Sequence, residues 1–431
     1  MPAYMNRLRL SLSIAIVATG IARVALAQEV TIGYQGLPYK STGESNTGIQ
    51  VSEGVLLHVG AGAEAGYDTN VFYSESGGEV ASPLIRTSVF GDLGNATRTG
   101  VAGKVQFNLR AGVTYRRYQS DDANVQRFSN AWMPTAGLAL STGGGQFGFG
   151  LADTFARIED PPYAESGPFP ITRYNNQASV EGRWAPGGGR ITATLRYTNM
   201  LDIFSEDSGY QYANADSNYL MLDTAWKWLP KTAIFLTAQQ GIVFYLNDAE
   251  ANLANKTSSF PLIVTTGLRG LLTEKTSGTL ALGYTNGFYS GGVSTSGFWG
   301  STYADLSFTL RPTMLSRVVV GYRHGFTNAV ISSFSYNDTA YASFVQQIAG
   351  RLALDISSRY AHRSYAGQFV DPTQMAGGRT DDFIQAGATL DYFIRNWIYF
   401  GVGYSLLNNS SNIASVEYLK QQMFVRLGLT Y

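Results

Sequence analysis

Lys104-Val105-Gln106-Phe107-Asn108-Leu109-Arg110-Ala111-Gly112-Val113-Thr114-Tyr115-Arg116 decides how this chain is read. Val105, Phe107, Leu109, Ala111, Val113 and Tyr115 share one parity, and polar residues or glycine fill the other. A strand sends alternate side chains to opposite faces, so this segment has one greasy face and one wet face. Its length suits a tilted strand of ~9–11 residues crossing a bilayer. The same alternation recurs at 190–198, 303–311, 351–360 and 383–392.

Counting such segments gives roughly eighteen strands, an even number as in single-chain barrels. Starts are expected at Val55, Pro83, Lys104, Gln126, Gln146, Ile171, Arg190, Asn218, Thr232, Phe260, Thr276, Trp299, Met314, Asn337, Arg351, Asp382, Asn396 and Val416. The fold class is therefore all-β, a transmembrane antiparallel β-barrel of the outer-membrane porin type. Connections alternate in length. Short ones such as 142–144, 186–189, 229–230, 311–313, 349–350 and 395–396 alternate with longer ones at 70–81, 157–170, 202–216, 247–256, 290–297, 328–335 and 363–380. Such barrels have short periplasmic turns and long extracellular loops.

Aromatic residues sort by strand end. Tyr67, Tyr115, Tyr197, Tyr284, Tyr322, Tyr360 and Tyr404 precede long loops, and Trp184, Trp226, Trp228, Tyr392 and Tyr431 mark the opposite ends. This predicts two interfacial girdles. Two segments fit poorly: Asp153 falls among the apolar parity of 146–157, and 234–240 alternates weakly.

Composition agrees. The 431 residues include 48 Gly, 27 Tyr and 23 Phe with only 14% charged residues, as suits a protein facing lipid outside and water inside. No cysteine is present, which excludes disulfides and thiolate metal sites. Arg7 and Arg9, the apolar run 10–21 and Ala25-Leu26-Ala27 read as an export signal over 1–27. Its removal takes three Arg and no acid, leaving 28 Lys and Arg against 31 Asp and Glu, so a net charge of about −3 argues against nucleic acid as a partner. Residues 28–54 read as a periplasmic N-terminal segment and 55–431 as the barrel. The expected location is the outer membrane of a Gram-negative bacterium, with outer-membrane lipid as the surrounding partner.

Inward parity defines the candidate lumen lining: Arg86, Arg110, Arg116, Arg183, Arg196, Arg269, Arg317, Arg323, Arg359 and Arg426, with Glu64, Asp223, Asp305, Asp355 and Asp391. An excess of guanidinium groups in a low-dielectric wall favours anions. The structural alternative is that these charges pair across strands. Tyr219, Tyr303, Tyr341, Trp397 and Tyr399 either stack on sugar rings or fill space. The loop 158–170, with Glu159, Asp160, Pro161, Pro162 and Glu165, is a candidate constriction because proline stiffens it. His362 near Asp381-Asp382 is the one weak hydrolytic constellation. No HExxH, GxSxG or P-loop pattern occurs, and no catalytic, metal or cofactor residue is assigned.

Two resemblances follow. The closing strand, Gln422-Met423-Phe424-Val425-Arg426-Leu427-Gly428-Leu429-Thr430-Tyr431, resembles the signal read by the barrel assembly machinery. Gly66-Tyr67-Asp68-Thr69-Asn70-Val71-Phe72 resembles the end of the first strand in the beta-barrel porin type 2 families, some of which are outer-membrane barrels of exopolysaccharide secretion. That resemblance implies a translocation pore for exopolysaccharide or other polar or anionic solutes, working with periplasmic polysaccharide-export proteins. The alternatives are a general diffusion porin for small anions and a non-conducting surface barrel whose loops bind partners.

Overall fold

The computed structural model describes residues 48–95, 105–128, 130–143, 145–159, 171–247, 251, 254, 256–290, 299–369 and 378–431. The expected export signal over 1–27 and residues 28–47 of the expected periplasmic segment lie outside them.

A short strand β1 (Ile49–Ser52) precedes eighteen long ones. These are β2 (Val55–Asp68), β3 (Ser82–Gly94), β4 (Val105–Tyr118), β5 (Ala131–Thr142), β6 (Phe147–Ile158), β7 (Arg173–Trp184), β8 (Ile191–Phe204), β9 (Ala215–Leu229) and β10 (Thr232–Tyr245). The second half is β11 (Leu262–Leu271), β12 (Thr276–Asn286), β13 (Thr302–Leu310), β14 (Ser316–Asn328), β15 (Ser332–Ile348), β16 (Leu352–Phe369), β17 (Thr380–Arg395), β18 (Ile398–Ser411) and β19 (Tyr418–Thr430). Each pairs antiparallel with the next, and β19 returns to β2 with Arg426 opposite Glu64 and Gly428 opposite Gly62. The sheet therefore closes on itself as an 18-stranded barrel, which removes the exposed edges an open sheet would leave. β1 adds to β2 with Ile49 opposite Leu57.

One parity of most long strands is greasy and faces outward. On β19 the exposed residues are Met423, Val425, Leu427 and Leu429, while Gln422, Phe424 and Arg426 are buried inside. Tyr67, Tyr197, Tyr284 and Tyr360 stand exposed at one end of this outer band, and Trp184, Trp226, Trp228 and Tyr392 at the other. Asp153 lies on the outer face, where the Asn176 amide on β7 donates to its carboxylate at 2.9 Å.

Two expectations about elements need correction. A strand was expected from Gln126, but 123–128 form a short helix. Asp122 caps it, its Oδ1 accepting from the backbone N–H of Asn124 (2.8 Å) and Val125 (3.1 Å). A long loop was expected over 328–335. Instead β14 runs to Asn328 and β15 resumes at Ser332, leaving a tight turn. Phe326, Phe334 and Tyr336 extend the two strands, since aromatic residues favour a pleated surface over a loop, while Val330 in the turn is held by apolar contacts with Ile171, Phe204 and Ala213.

Candidate functional site

The inner wall is built from ion pairs between neighbouring strands. Glu64 stands opposite Arg86, Asp92 opposite Arg110, Glu181 opposite Arg196 and Asp305 opposite Arg323. The four pairs close at 2.5, 3.2, 2.5 and 2.8 Å. Two more reach across an intervening strand. Arg426 on β19 meets Asp391 on β17 at 2.6 Å, and Arg269 on β11 meets Asp223 on β9 at 2.7 Å while passing over the Phe235 ring. Arg116 and Arg359 are buried within the wall, Arg116 lying 5.5 Å over the Tyr118 ring. Arg183 and Arg317 are exposed and make no ion pair among the described residues. Arg317 shares a register row with Asp355, with Val345 between them. Paired opposite charges cancel at short range, so the wall carries far less positive field than its arginine count suggests.

Inward aromatics are folded flat. A Cβ placed on Gly321 would sit 2.3 Å from the Tyr341 ring, and one on Gly428 would sit 2.2 Å from Tyr399. These rings occupy the room that the neighbouring strand's glycine leaves, the arrangement known as aromatic rescue of glycine. They brace the wall instead of projecting from it. Trp397 lies outside this set, in the β17–β18 turn, and is 45% exposed.

At the long-loop end the mouth is partly covered from two sides. On the first side, the Gly66–Phe72 motif forms a knot. Asp68 is fully buried and accepts from the Asn70 backbone N–H (3.0 Å), the Tyr118 hydroxyl (2.8 Å) and the Gln422 amide (2.6 Å), and it pairs with Lys420 (2.8 Å). The Asn70 side chain accepts from the Ser74 N–H and donates to the Ser74 and Leu419 carbonyls. Val71 and Phe72 then pack on Leu84, Tyr118 and Val125. Tyr73 takes φ 57°, a value rare for an aromatic residue. It is held edge-on against Tyr418 at 5.3 Å and beneath the Lys420 ammonium at 4.2 Å.

On the second side, the β14–β15 turn crosses the mouth. Val330 packs with Ile171, Phe204 and Ala213 near β7, β8 and β9, and Ala329 packs on Tyr365 of β16. The buried Lys256 ammonium donates to the carbonyls of Ala329 and Ser332 at either end of the turn, the latter at 2.6 Å. Beneath this roof lies a cavity bounded by the inner faces of β7 to β11 and by 326–330.

The sequence did not single out Lys256 or Val330. Their signal was a lone lysine in a loop and an apolar run misread as loop. Of the expected constriction, Asp160, Pro161, Pro162 and Glu165 lie outside the described residues. Glu159 is buried, 2.7 Å from Arg157, and accepts from the Thr172 hydroxyl. The His362 constellation does not assemble. Asp382 faces outward with His362 (2.9 Å) and Tyr360 (2.6 Å), whereas Asp381 is buried against Arg379 at 2.6 Å.

No family model matches the chain, and no curated protein matches it. Among solved structures it is similar to the outer membrane protein opdK of Pseudomonas aeruginosa, at 10% identity and TM-score 0.45, covering 87% of this chain and 99% of that one. OccAB4 of Acinetobacter baumannii gives 11% identity and TM-score 0.43 over 87% and 98% of the two chains. The siderophore receptor PirA of the same species gives 8% and 0.43 over 87% and 80%. The fold stands on the register of its strands, and likenesses at this level transfer no activity.

Proposed function

We propose that this protein is an outer-membrane channel of a Gram-negative bacterium that lets small polar solutes cross by diffusion. The observation that carries the reading is the closed barrel itself, apolar outside and lined inside by ion pairs, amides and hydroxyls. Only a closed barrel or a helix satisfies every backbone hydrogen bond in hydrocarbon. Passage then needs no chemistry, only a wet bore with weak sites. Export by residues 1–27 and insertion by the assembly machinery belong to the same reading.

Cancellation of most inner charges supports weak selectivity, with Arg183 and Arg317 as the source of a residual anion preference. The narrower reading, passage of exopolysaccharide, rests on the Gly66–Phe72 motif. The knot around Asp68 accounts for Asp68, Asn70, Val71 and Phe72 without any glycan. Reconstitution of the purified protein in planar bilayers tests the proposal. Discrete conductance steps with a modest anion preference support it, and a sealed bilayer refutes it.

A further inference from the structure

The cavity under the β14–β15 turn has a lining that a plain diffusion path does not need. Among the described residues its one charged couple, Arg173 and Asp202, is paired at 3.5 Å, so this lining is electrically neutral. Its remaining polar groups are amides and hydroxyls: Gln177, Thr198, Ser217, Tyr219, Gln239 and Tyr245 on the wall, with Thr327 and Asn328 on the roof. Gln177 and Gln239 stand on the inner faces of β7 and β10, in register with Met200 and Met221. Among the described residues neither amide side chain has a hydrogen-bond partner, although each is only partly exposed. Tyr219 backs onto Gly241, where a Cβ would meet its ring at 2.7 Å, so its other face is free of that strand. Met200, Met221, Val243 and Ile263 supply apolar surface between the polar groups.

We propose that this cavity is a subsite for an uncharged, polyhydroxylated solute of sugar size. The assignment rests on the channel reading above and adds a solute class to it. A charged solute would find its counter-charge already engaged in the Arg173–Asp202 pair, and desolvating it there would go uncompensated. A sugar instead presents hydroxyls to the two free amides and C–H faces to Tyr219 and the methionines. Convergent polar groups in a largely apolar cleft are the usual form of a small-molecule site.

The test uses the full chain in planar bilayers with maltose and glucuronate as probes, plus calorimetric titration of maltose into detergent-purified protein. Maltose is expected to block the current saturably and to bind in the titration, whereas glucuronate does neither at equal concentration. In the Gln177→Leu/Gln239→Leu double variant the half-saturating concentration should rise roughly tenfold with the open conductance kept, the size of effect expected from losing two modest hydrogen bonds. An open current with no saturable maltose effect and no titration heat overturns the subsite and leaves the channel standing. Equal block in the double variant, or stronger action by glucuronate, also overturns it. Absence of any current overturns the channel itself.

Discussion

Arg426 and Asp391 are joined at 2.6 Å although they stand on strands that do not touch. The strand between them, β18, presents Gly401, which is in register with both. A Cβ there would fall 2.1 Å from the Asp391 carboxylate, so glycine is what lets the pair close over the wall. Arg426 also faces Glu64 across the seam between the last and first strands, and Glu64 holds Arg86. Charge thus alternates from β17 to β3 around the place where the barrel closes.

Removing one partner of a pair this buried leaves the other uncompensated. Arg426→Ala is expected to destabilise the barrel by about 3 kcal/mol. Gly401→Val should give a comparable loss by steric means. Denaturant unfolding in lipid vesicles measures both. Wild-type midpoints in either variant would show that the network does not hold the seam.

Asp68 satisfies several buried donors at once, so Asp68→Ala should cost roughly 2 kcal/mol or more. The loss should centre on the first long loop. Limited proteolysis is expected to cut within 69–81 in the variant while sparing the wild type. An unchanged digestion pattern would mean that the knot is held by Val71 and Phe72 alone.

Lys256 pins both ends of the turn that roofs the mouth. Lys256→Met keeps the apolar stem and removes the ammonium donor. Open conductance should rise, on the order of twofold, as the turn is freed from the opposite wall. Conductance equal to the wild type would place the limiting constriction elsewhere.

Selectivity separates the paired charges from the unpaired ones. Arg183→Glu with Arg317→Glu should lower the anion-to-cation permeability ratio roughly threefold. The neutralising double change Asp305→Asn/Arg323→Gln should leave it nearly unchanged, because those two charges already cancel. Reversal potentials in a salt gradient give both values, and the opposite ranking would restore the arginine-rich lumen as the source of selectivity.

The barrel was legible in the sequence because period two is imposed by the two solvents on nearly every strand. Val55, Thr232 and Thr276 begin strands where alternation placed them. The turn at 329–331 was not legible. Its apolar residues serve contacts on the far wall, and periodicity reports only a strand's own two faces. The helix at 123–128 was hidden by its brevity, although Asp122 marked its start. For the lumen, parity gave the inner arginines but not their state. Register determines whether Arg86 meets Glu64 while Arg183 meets Thr194, and register is a property of two strands together.

The central claim is a cylinder with hydrocarbon on one side of the wall and water on the other. Because the chain has no cysteine, single cysteines can be placed on both faces of the wall and spin-labelled in lipid vesicles. Labels at Met423, Val425, Leu427 and Leu429 are predicted to relax with lipid-dissolved oxygen, and labels at the exposed inner positions Arg183 on β7 and Arg317 on β14 with a water-soluble nickel chelate. Equal response of both sets to both reagents would contradict the account.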